Sequence, residues 1–369
     1  MDFLEMFSNV ANFTWQQGLM ILIGAVLIYL AIRHEMEPAL LLPMGFGAVL
    51  VNLPMVHTEA IETLFNAGIS TELFPLLLFI GIGAMIDFGP LLSNPKMLLF
   101  GAAAQLGIFI TLILARLVGF ELKDAASIAI IGAADGPTSI YVAQFFGSNY
   151  QGPIMVAAYS YMALVPIIQP PVIRMITTKN ERRIRMEYRP KDVTKFSRIL
   201  FPIIVTLIAG AVAPKSAELI GFLMFGNLIR ECGVLKSLSD SAQNQLANLV
   251  TLLLGLSVAF RMKAEDFIKL ETFVIILLGL FAFVFDTVGG VMFAKLMNLF
   301  SKKKVNPMIG AAGISAFPMS SRVVHKMGLK EDPHNFLLMH AAGANVSGQI
   351  ASVIAGGLLI SLVSELIGG

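Results

Sequence analysis

The sequence has little charge and a single cysteine. Only 14% of its 369 residues are charged, which is too few to cover the surface of a soluble protein of this length. Cys232 is the only cysteine, which excludes an intrachain disulfide framework and a thiolate metal site. No G-x-x-x-x-G-K-[ST] phosphate loop and no G-x-G-x-x-G turn occurs. Any work that this chain does must therefore draw on an ion gradient or on chemistry supplied by a partner.

What the sequence does have is a long series of apolar segments. Hydrophobic residues make up 56% of the chain, and the mean hydropathy is +0.79. The apolar run from Gly18 to Ile32 is followed by many of the same kind, so we interpret it as the first membrane segment and not as a cleaved signal peptide. The pattern predicts an all-α polytopic membrane protein, with about twelve segments of spanning or near-spanning length at roughly 18–32, 38–54, 72–86, 97–118, 124–146, 153–173, 197–213, 217–230, 241–259, 271–299, 305–327 and 334–365.

The most basic stretch divides the chain nearly in half. It reads "RMITTKNERRIRMEYRPKDVTKFSR" and lies between the sixth and seventh apolar segments. The positive-inside rule places it in the cytoplasm. We therefore predict an N-terminal membrane repeat over residues 1–174, a basic cytoplasmic linker over 175–196 and a C-terminal membrane repeat over 197–369.

The two halves resemble each other at a shared offset. "LLLFIGIGAMIDFGPLLSNPKMLLFG" from Leu76 is similar to "LLLGLSVAFRMKAEDFIKLETFVIILLG" from Leu252, and "GAADGPTS" from Gly132 is similar to "GAAGISAF" from Gly310. Two structural repeats are predicted, and we expect them to be inverted, which requires an odd number of crossings in each. Five crossings would result if the short second segments, 38–54 and 217–230, failed to cross. That choice puts the lysines at 302–304 outside, against the charge rule, so the sequence alone leaves the topology open.

Each half also contains a break inside an apolar segment. In "IIGAADGPTSIYVAQFFG", Pro137 and its neighbouring glycines interrupt the helix at Asp135, and Thr138 and Ser139 add hydroxyl oxygens. Such breaks often face an ion or substrate site, so a carboxylate here predicts a hard-cation site. The alternative is that Asp135 only caps the second half-helix. The other half contains the matching break in "VNPMIGAAGISAFPMSSRVVHKMG", and we expect the two broken helices to meet near the membrane midplane.

Four further polar residues are candidates of different strength. Tyr161 and Asn345 lie in the segments that follow the two breaks, where they can reach the same site. Arg322 can bind a carboxylate with its two-pronged guanidinium or extend to the membrane interface. Asp286 is a membrane acid without a break to explain it, and the sequence leaves it open between packing and function.

The motifs resemble those of one known family. At "GAADGPTSIYVA", "NPMIGAAGISAFPMSSRVVHKMGL" and "NFLLMHAAGANVSGQI", and over essentially the whole chain, the sequence is similar to the β-subunit of sodium-translocating biotin-dependent decarboxylases. The family includes oxaloacetate, methylmalonyl-CoA, glutaconyl-CoA and malonate decarboxylases. The resemblance implies a subunit that decarboxylates carboxybiotin, takes up a proton from the far side and exports Na⁺. The sequence lacks the Met-Lys-Met biotinylation motif, which fits a chain that consumes carboxybiotin without carrying it.

The resemblance also implies an assembly. It implies a scaffold and a mobile core, a homotrimer of β-subunits, and a location in the prokaryotic cytoplasmic membrane. The partners that it implies are a carboxyltransferase α-subunit, a biotin-carrier subunit and a small membrane γ/δ subunit. It leaves the acyl substrate of the soluble partner open, and the compact length of this chain favours the acyl-CoA decarboxylases.

By motif, the resemblance assigns roles to individual residues. Asp135 is the acid that handles Na⁺ and the proton, with Tyr161 as its catalytic neighbour, and Arg322 is assigned both to catalysis and to carboxybiotin. The expected Na⁺ ligands are Asp135, Thr138, Asn306, Gly310, Ser315 and Asn345. A stand-alone secondary transporter or Na⁺/H⁺ antiporter is the main rival, because broken helices in paired repeats suit that class equally. A membrane anchor without an ion site would leave both breaks without a purpose.

Overall fold

The computed structural model describes residues 13–54, 58–187 and 192–368. All regular elements in these ranges are helical. The α-helices are α1 Trp15–His34, α2 Pro38–Val51, α3 Glu59–Gly68, α4 Leu73–Met85, α5 Gly89–Ser93, α6 Leu98–Ala103, α7 Leu106–Val118, α8 Leu122–Ala129, α9 Gly136–Phe145, α10 Gln151–Ile176, α11 Lys179–Arg182, α12 Lys195–Val212, α13 Ala217–Cys232, α14 Lys236–Ser241, α15 Ala247–Val258, α16 Ala264–Phe267, α17 Leu270–Phe300, α18 Met308–Ala311, α19 Met319–Glu331 and α20 Leu338–Gly368.

The lengths and compositions of these helices confirm the expectation of a polytopic membrane protein. Seven helical stretches among the described residues are long and apolar enough to cross a membrane, and the bent pair α3 and α4, which meet at 63°, makes an eighth. The seven are Trp15–His34, Pro95–Val118, Gln151–Ile176, Lys195–Val212, Lys236–Arg261, Leu270–Phe300 and Leu338–Gly368. The helix α2 is apolar but shorter.

The helices pack in two groups, and each half of the chain contributes to both. The first bundle contains α1–α4 and α12–α15, and the second bundle contains α5–α10 and α17–α20. Equivalent pairs recur in the two halves: α1 packs on α2 as α12 packs on α13, and α7 packs on α8 as α17 packs on α18. Between the halves, α2 packs on α15 as α13 packs on α4. This exchange pattern supports two repeats, whose inverted orientation stays a prediction, as does movement of one bundle against the other.

The structure shows the course of the two broken segments, which bears on the topology that the sequence leaves open. Asp124, where the first broken segment begins, accepts a hydrogen bond of 2.7 Å from the Ser148 hydroxyl at its end. Asn306 and Asn335, on either side of the second broken segment, both donate to the Arg182 carbonyl at 2.9 Å. Each broken segment therefore enters and leaves at one face. The two broken segments therefore have the course of re-entrant hairpins.

This course also removes the conflict with the charge rule. Lys303 and Lys304 line one cavity together with residues 184–187 of the basic linker, so both basic stretches lie at the same end of the molecule, here called the linker face. Seven described stretches, or eight with the bent pair, are long and apolar enough to cross. Five crossings in each half, the odd number that inverted repeats require, would need α2 and α13 to cross as well.

Candidate functional site

The two helix breaks contact each other. The backbone N–H of Ser315, in the second break, donates to the Ala133 carbonyl in the first at 3.2 Å. The Ser315 hydroxyl donates to the same oxygen at 2.7 Å. Ala134 adopts a left-handed conformation with φ of 52°, which turns the chain sharply before Asp135. The structure thus brings the two sequence motifs together, as the sequence predicted.

Asp135 is the carboxylate at this contact. It is 3% exposed and is the N-cap residue of α9, accepting the Thr138 N–H at 3.4 Å through Oδ1. Its Oδ2 atom accepts two hydroxyl donors, from Thr138 at 2.7 Å and from Ser352 at 3.0 Å. Asp135 therefore does cap α9, but the cap is one long hydrogen bond to Oδ1. The second oxygen is held by side chains from two different helices, which a cap does not require.

One face of α20 connects both breaks. Asn345 donates through Nδ2 to the Ile314 carbonyl at 2.7 Å, and Gln349 donates through Nε2 to the Ser315 carbonyl. Ser352, the donor to Asp135, completes a series at i, i+4 and i+7 that shares one helix face. Sequence reasoning found Asn345 but missed Gln349 and Ser352, although this spacing was a signal that could have shown them.

Two amide oxygens on this face are buried without a donor. Because a carbonyl only accepts hydrogen bonds, the partners of Asn345 and Gln349 fix which side-chain atom is the nitrogen. The remaining atoms, Asn345 Oδ1 and Gln349 Oε1, have no donor in the described part of the chain. An unpaired buried oxygen is costly. A bound cation would satisfy such oxygens, so they are candidate ligands beside Asp135.

The tyrosine beside Asp135 is Tyr159. Its ring lies against Gly136, where a Cβ atom would overlap the ring, and its buried hydroxyl has no partner within the described ranges. Tyr161 lies on another face of α10, and its hydroxyl donates to the Ile276 carbonyl on α17. The structure therefore does not bring the Tyr161 hydroxyl to Asp135, and its catalytic role stays a prediction.

Two predicted Na⁺ ligands make contacts of another kind. Asn306 donates through Nδ2 to the carbonyls of Arg182 and Ile184, both at 2.9 Å, and accepts the Met308 N–H through Oδ1. Gly310 packs against Gly290 so closely that a Cβ atom would overlap the Gly290 carbonyl. The Asn306 hydrogen bonds attach the linker to the second broken segment. The absence of a side chain at Gly310 lets the same segment approach α17.

The atoms at the contact between the two breaks indicate which type of ion would bind there. No group of three or more His, Cys, Asp or Glu side chains suited to a metal occurs over residues 13–54, 58–187 and 192–368. At the contact itself, the carboxylate of Asp135 is accompanied by hydroxyl, amide and carbonyl oxygens. Oxygen ligands suit hard cations, and one negative charge balances a monovalent ion.

Comparison with known proteins identifies the family. The chain matches a family described as the Na⁺-transporting oxaloacetate decarboxylase beta subunit over residues 16–363. The chain belongs to this family. The β-subunit is 52% identical to the methylmalonyl-CoA decarboxylase subunit beta of Veillonella parvula over 359 residues, covering 97% of this chain and 96% of the relative. It is 49% identical to the glutaconyl-CoA decarboxylase subunit beta of Acidaminococcus fermentans over 359 residues, covering 96% of each. It is 43% identical to a probable oxaloacetate decarboxylase beta chain of Vibrio cholerae over 415 aligned positions, covering 95% of this chain and 96% of the relative.

The family confirms the main functional prediction. This protein is a multi-pass membrane subunit of a sodium-transporting decarboxylase. Because the members of this family are decarboxylase subunits, neither a stand-alone antiporter nor a passive membrane anchor remains a main alternative.

Arg322 lies apart from the contact between the breaks. Arg322 is exposed and lies one turn into α19. It is near Glu37, a residue of the short connection between α1 and α2. Burial raises the pKa of Glu37, and the Arg322 charge opposes that rise. Arg322 belongs to the second bundle and Glu37 to the first, so the guanidinium lies near the boundary between the bundles.

Asp286 is fully buried and has a structural partner. Its Oδ1 accepts the Gly107 N–H in the first turn of α7, which satisfies a donor left without an intrahelical partner. Its Oδ2 has no donor in the described residues and lies 2.8 Å from the position of a Cβ on Gly132. The hydrogen bond between Asp286 and Gly107, at the start of α7, thus supports the packing interpretation of Asp286.

The basic linker is attached to the second broken segment by ion pairs. Arg182 bonds Glu331 at 2.8 Å, and Arg185 bonds Asp332 through both carboxylate oxygens at 2.5 and 3.0 Å. The hydrogen bond from Arg185 and that from the His334 backbone lower the pKa of Asp332 to about 2. The linker is therefore joined to α19, the helix that leads out of the second break.

Proposed function

We propose that this β-subunit decarboxylates carboxybiotin delivered by a partner subunit, takes up a proton and exports Na⁺ through the site at Asp135. One observation carries the proposal: Asp135 is a buried carboxylate at the contact of the two breaks, it accepts two hydroxyl donors, and two unpaired amide oxygens lie on the α20 face that connects the breaks. A site of this kind binds either a cation or a proton. Family membership supplies the decarboxylation that would drive it.

The coupling follows from competition for one carboxylate. Na⁺ stabilises the charged form of Asp135 and a proton stabilises the neutral form, so binding one excludes the other. The hydroxyls of Thr138 and Ser352 hold Oδ2 in place during the exchange. The proton that leaves when Na⁺ binds is then available for decarboxylation.

The role proposed for Arg322 fits its position. Carboxybiotin carries a carboxylate, and a guanidinium binds a carboxylate with two parallel hydrogen bonds. The exposed Arg322 near the boundary between the bundles suits a group that arrives from outside the chain. In the balanced reaction the N–CO₂⁻ bond breaks, its electron pair returns to the biotin nitrogen, one proton is added there and CO₂ leaves. Arg322 would hold the carboxylate until the proton arrives.

The partners belong to the proposal. Relatives named as beta subunits imply further subunits, and we assign these as a carboxyltransferase α-subunit, a biotin carrier and a small membrane γ/δ subunit, with β forming a homotrimer. The linker face, which holds the basic stretches, is assigned to the cytoplasm because of the positive-inside rule. Carboxybiotin then approaches from that side of the bacterial inner membrane.

The substrate of the soluble partner is inferred to be an acyl-CoA. The methylmalonyl-CoA and glutaconyl-CoA relatives align over 359 positions at 52% and 49% identity. The oxaloacetate relative needs 415 positions to cover a similar share of this 369-residue chain, so it carries insertions that this chain lacks. Assaying the purified complex with methylmalonyl-CoA, glutaconyl-CoA and oxaloacetate in parallel tests this, and turnover of oxaloacetate alone would contradict it.

Sodium dependence at several pH values tests the central proposal. We expect Na⁺ to stimulate decarboxylation by the complex, avidin to abolish it, and the half-saturating Na⁺ concentration to rise as the pH falls, because protons compete for Asp135. Asp135→Asn should remove the stimulation. Asp124→Asn provides a matched control, since Asp124 is also 3% exposed but bonds Ser148 away from the breaks. A half-saturating Na⁺ concentration that does not change with pH would contradict the competition.

A further inference from the structure

A basic cavity of about 820 Å³ opens at the linker face. Four cationic side chains line it, from the loop before α6, the linker and the loop between α17 and α18: Lys96, Arg185, Lys303 and Lys304. Arg185 is neutralised by Asp332. The three lysines make no ion pair within the residues that the structure describes, and Glu187 is the one acid in the lining. Among the described residues, the lining of this cavity thus carries an excess of positive charge.

A separate apolar groove lies between α6–α7 and α20. Its lining starts at Leu98, the residue after Met97 of the cavity lining. Its volume is about 290 Å³, and its lining includes Phe109, Ile354 and Leu358. From Ser347 to Leu358 the groove follows α20 for about 16 Å at 1.5 Å per residue. That length is close to the roughly 15 Å of one leaflet's hydrocarbon.

We propose that the cavity and groove together bind an anionic phospholipid, with its phosphate among the three lysines and one acyl chain between α6–α7 and α20. Charge complementarity selects the anion, and basic pockets between membrane helices at the cytoplasmic face are suited to such head groups. The neighbouring apolar groove selects a lipid over a soluble phosphate. The lipid contacts α20 on the side away from Asn345, Gln349 and Ser352, so it supports the helix that connects both breaks.

Lipid binding to the full-length protein in its complex tests the proposal. The purified complex is titrated with phosphatidylglycerol, and bound lipid is counted by native mass spectrometry, with phosphatidylcholine and inorganic phosphate as competitors. The test variant is Lys96→Gln/Lys303→Gln/Lys304→Gln. Its matched control is Lys179→Gln/Lys326→Gln/Lys330→Gln, which removes the same charge from lysines outside the cavity lining. Ala351→Trp fills the groove and keeps every cation.

The expected result separates the two parts of the site. At about 1 kcal/mol for each lysine near the membrane surface, the triple variant should bind phosphatidylglycerol on the order of 100-fold more weakly, while the control triple binds as wild type does. Ala351→Trp should also lose the lipid. Unchanged thermal unfolding of the variants shows that they remain folded.

Three results would overturn the proposal. Equal binding of phosphatidylcholine would mean that the lysines select nothing. Displacement by inorganic phosphate, with full binding by Ala351→Trp, would mean a soluble phosphate site. A crosslink from Ala351→Cys to another protein of the complex, in place of lipid, would mean that a partner helix fills the groove.

Discussion

Replacing Thr138 with valine tests the proposed Na⁺ site without changing its shape. Valine has the same branched side chain, so the packing of Thr138 against Gly356 is kept, but the 2.7 Å donor to Asp135 Oδ2 is lost. A hydrogen bond to a charged group contributes about 1.5–3 kcal/mol. Its loss disfavours the charged carboxylate, which is the form that binds Na⁺. We therefore expect the half-saturating Na⁺ concentration for decarboxylation to rise roughly 10- to 150-fold.

The assay compares Thr138→Val with Thr138→Ser in the same complex. Serine keeps the hydroxyl and should stay close to wild type, since its oxygen reaches Asp135 from the same backbone position. The rise in the valine variant should also be larger at lower pH, because a destabilised carboxylate loses more often to the proton. If the valine variant stays within about two-fold of wild type, or if serine loses as much as valine, the hydroxyl does not act on Asp135 as reasoned.

Three further predictions use other parts of the structure. Ser352→Ala removes the second donor to Oδ2 and should raise the half-saturating Na⁺ concentration on the order of 10-fold, measured by the same titration. Gly310→Ala places a Cβ against the Gly290 carbonyl and should destabilise the protein by about 1–3 kcal/mol, measured by thermal unfolding. Asp332 has a folded pKa of about 2, below its ordinary value near 4, so its stabilising contribution is complete above about pH 4 and is lost as pH falls through 2. Asp332→Asn should therefore speed amide hydrogen exchange in the linker at neutral pH.

Matched controls make these outcomes specific. Ser361→Ala removes a hydroxyl of the same helix that bonds only the Gly357 carbonyl among the described residues, and should not change the Na⁺ dependence. Gly210→Ala adds a Cβ where no atom lies within 4 Å and should preserve stability. A loss in these controls equal to that in the test variants would contradict the assigned contacts, as would unchanged linker exchange in Asp332→Asn.

The sequence predicted the parts of the site that depend on neighbours along the chain. Asp135 and Thr138 are three residues apart, so one helix start brings them together wherever that helix lies. The contact between the breaks was also predictable, because two equivalent breaks with free backbone groups need partners in a membrane.

The parts that sequence reasoning missed depend on how distant helices rotate against each other. Tyr159 and Tyr161 are two residues apart and lie on different faces of α10, and only packing against α9 and α17 decides which one lies beside Asp135. Ser352 reaches Asp135 across 217 positions. The sequence left the topology open for a similar reason, since apolar length alone does not distinguish a short crossing helix from a re-entrant one.

Sodium transport by the reconstituted complex tests the account most directly. ²²Na⁺ uptake into inverted vesicles is measured after adding the decarboxylation substrate, for wild type, Asp135→Asn and the control Asp124→Asn. We predict uptake that needs the substrate, stops with avidin, persists in Asp124→Asn and disappears in Asp135→Asn. Uptake that follows an imposed pH gradient, needs no biotin protein and continues in Asp135→Asn would contradict the claim that Asp135 couples decarboxylation to sodium export.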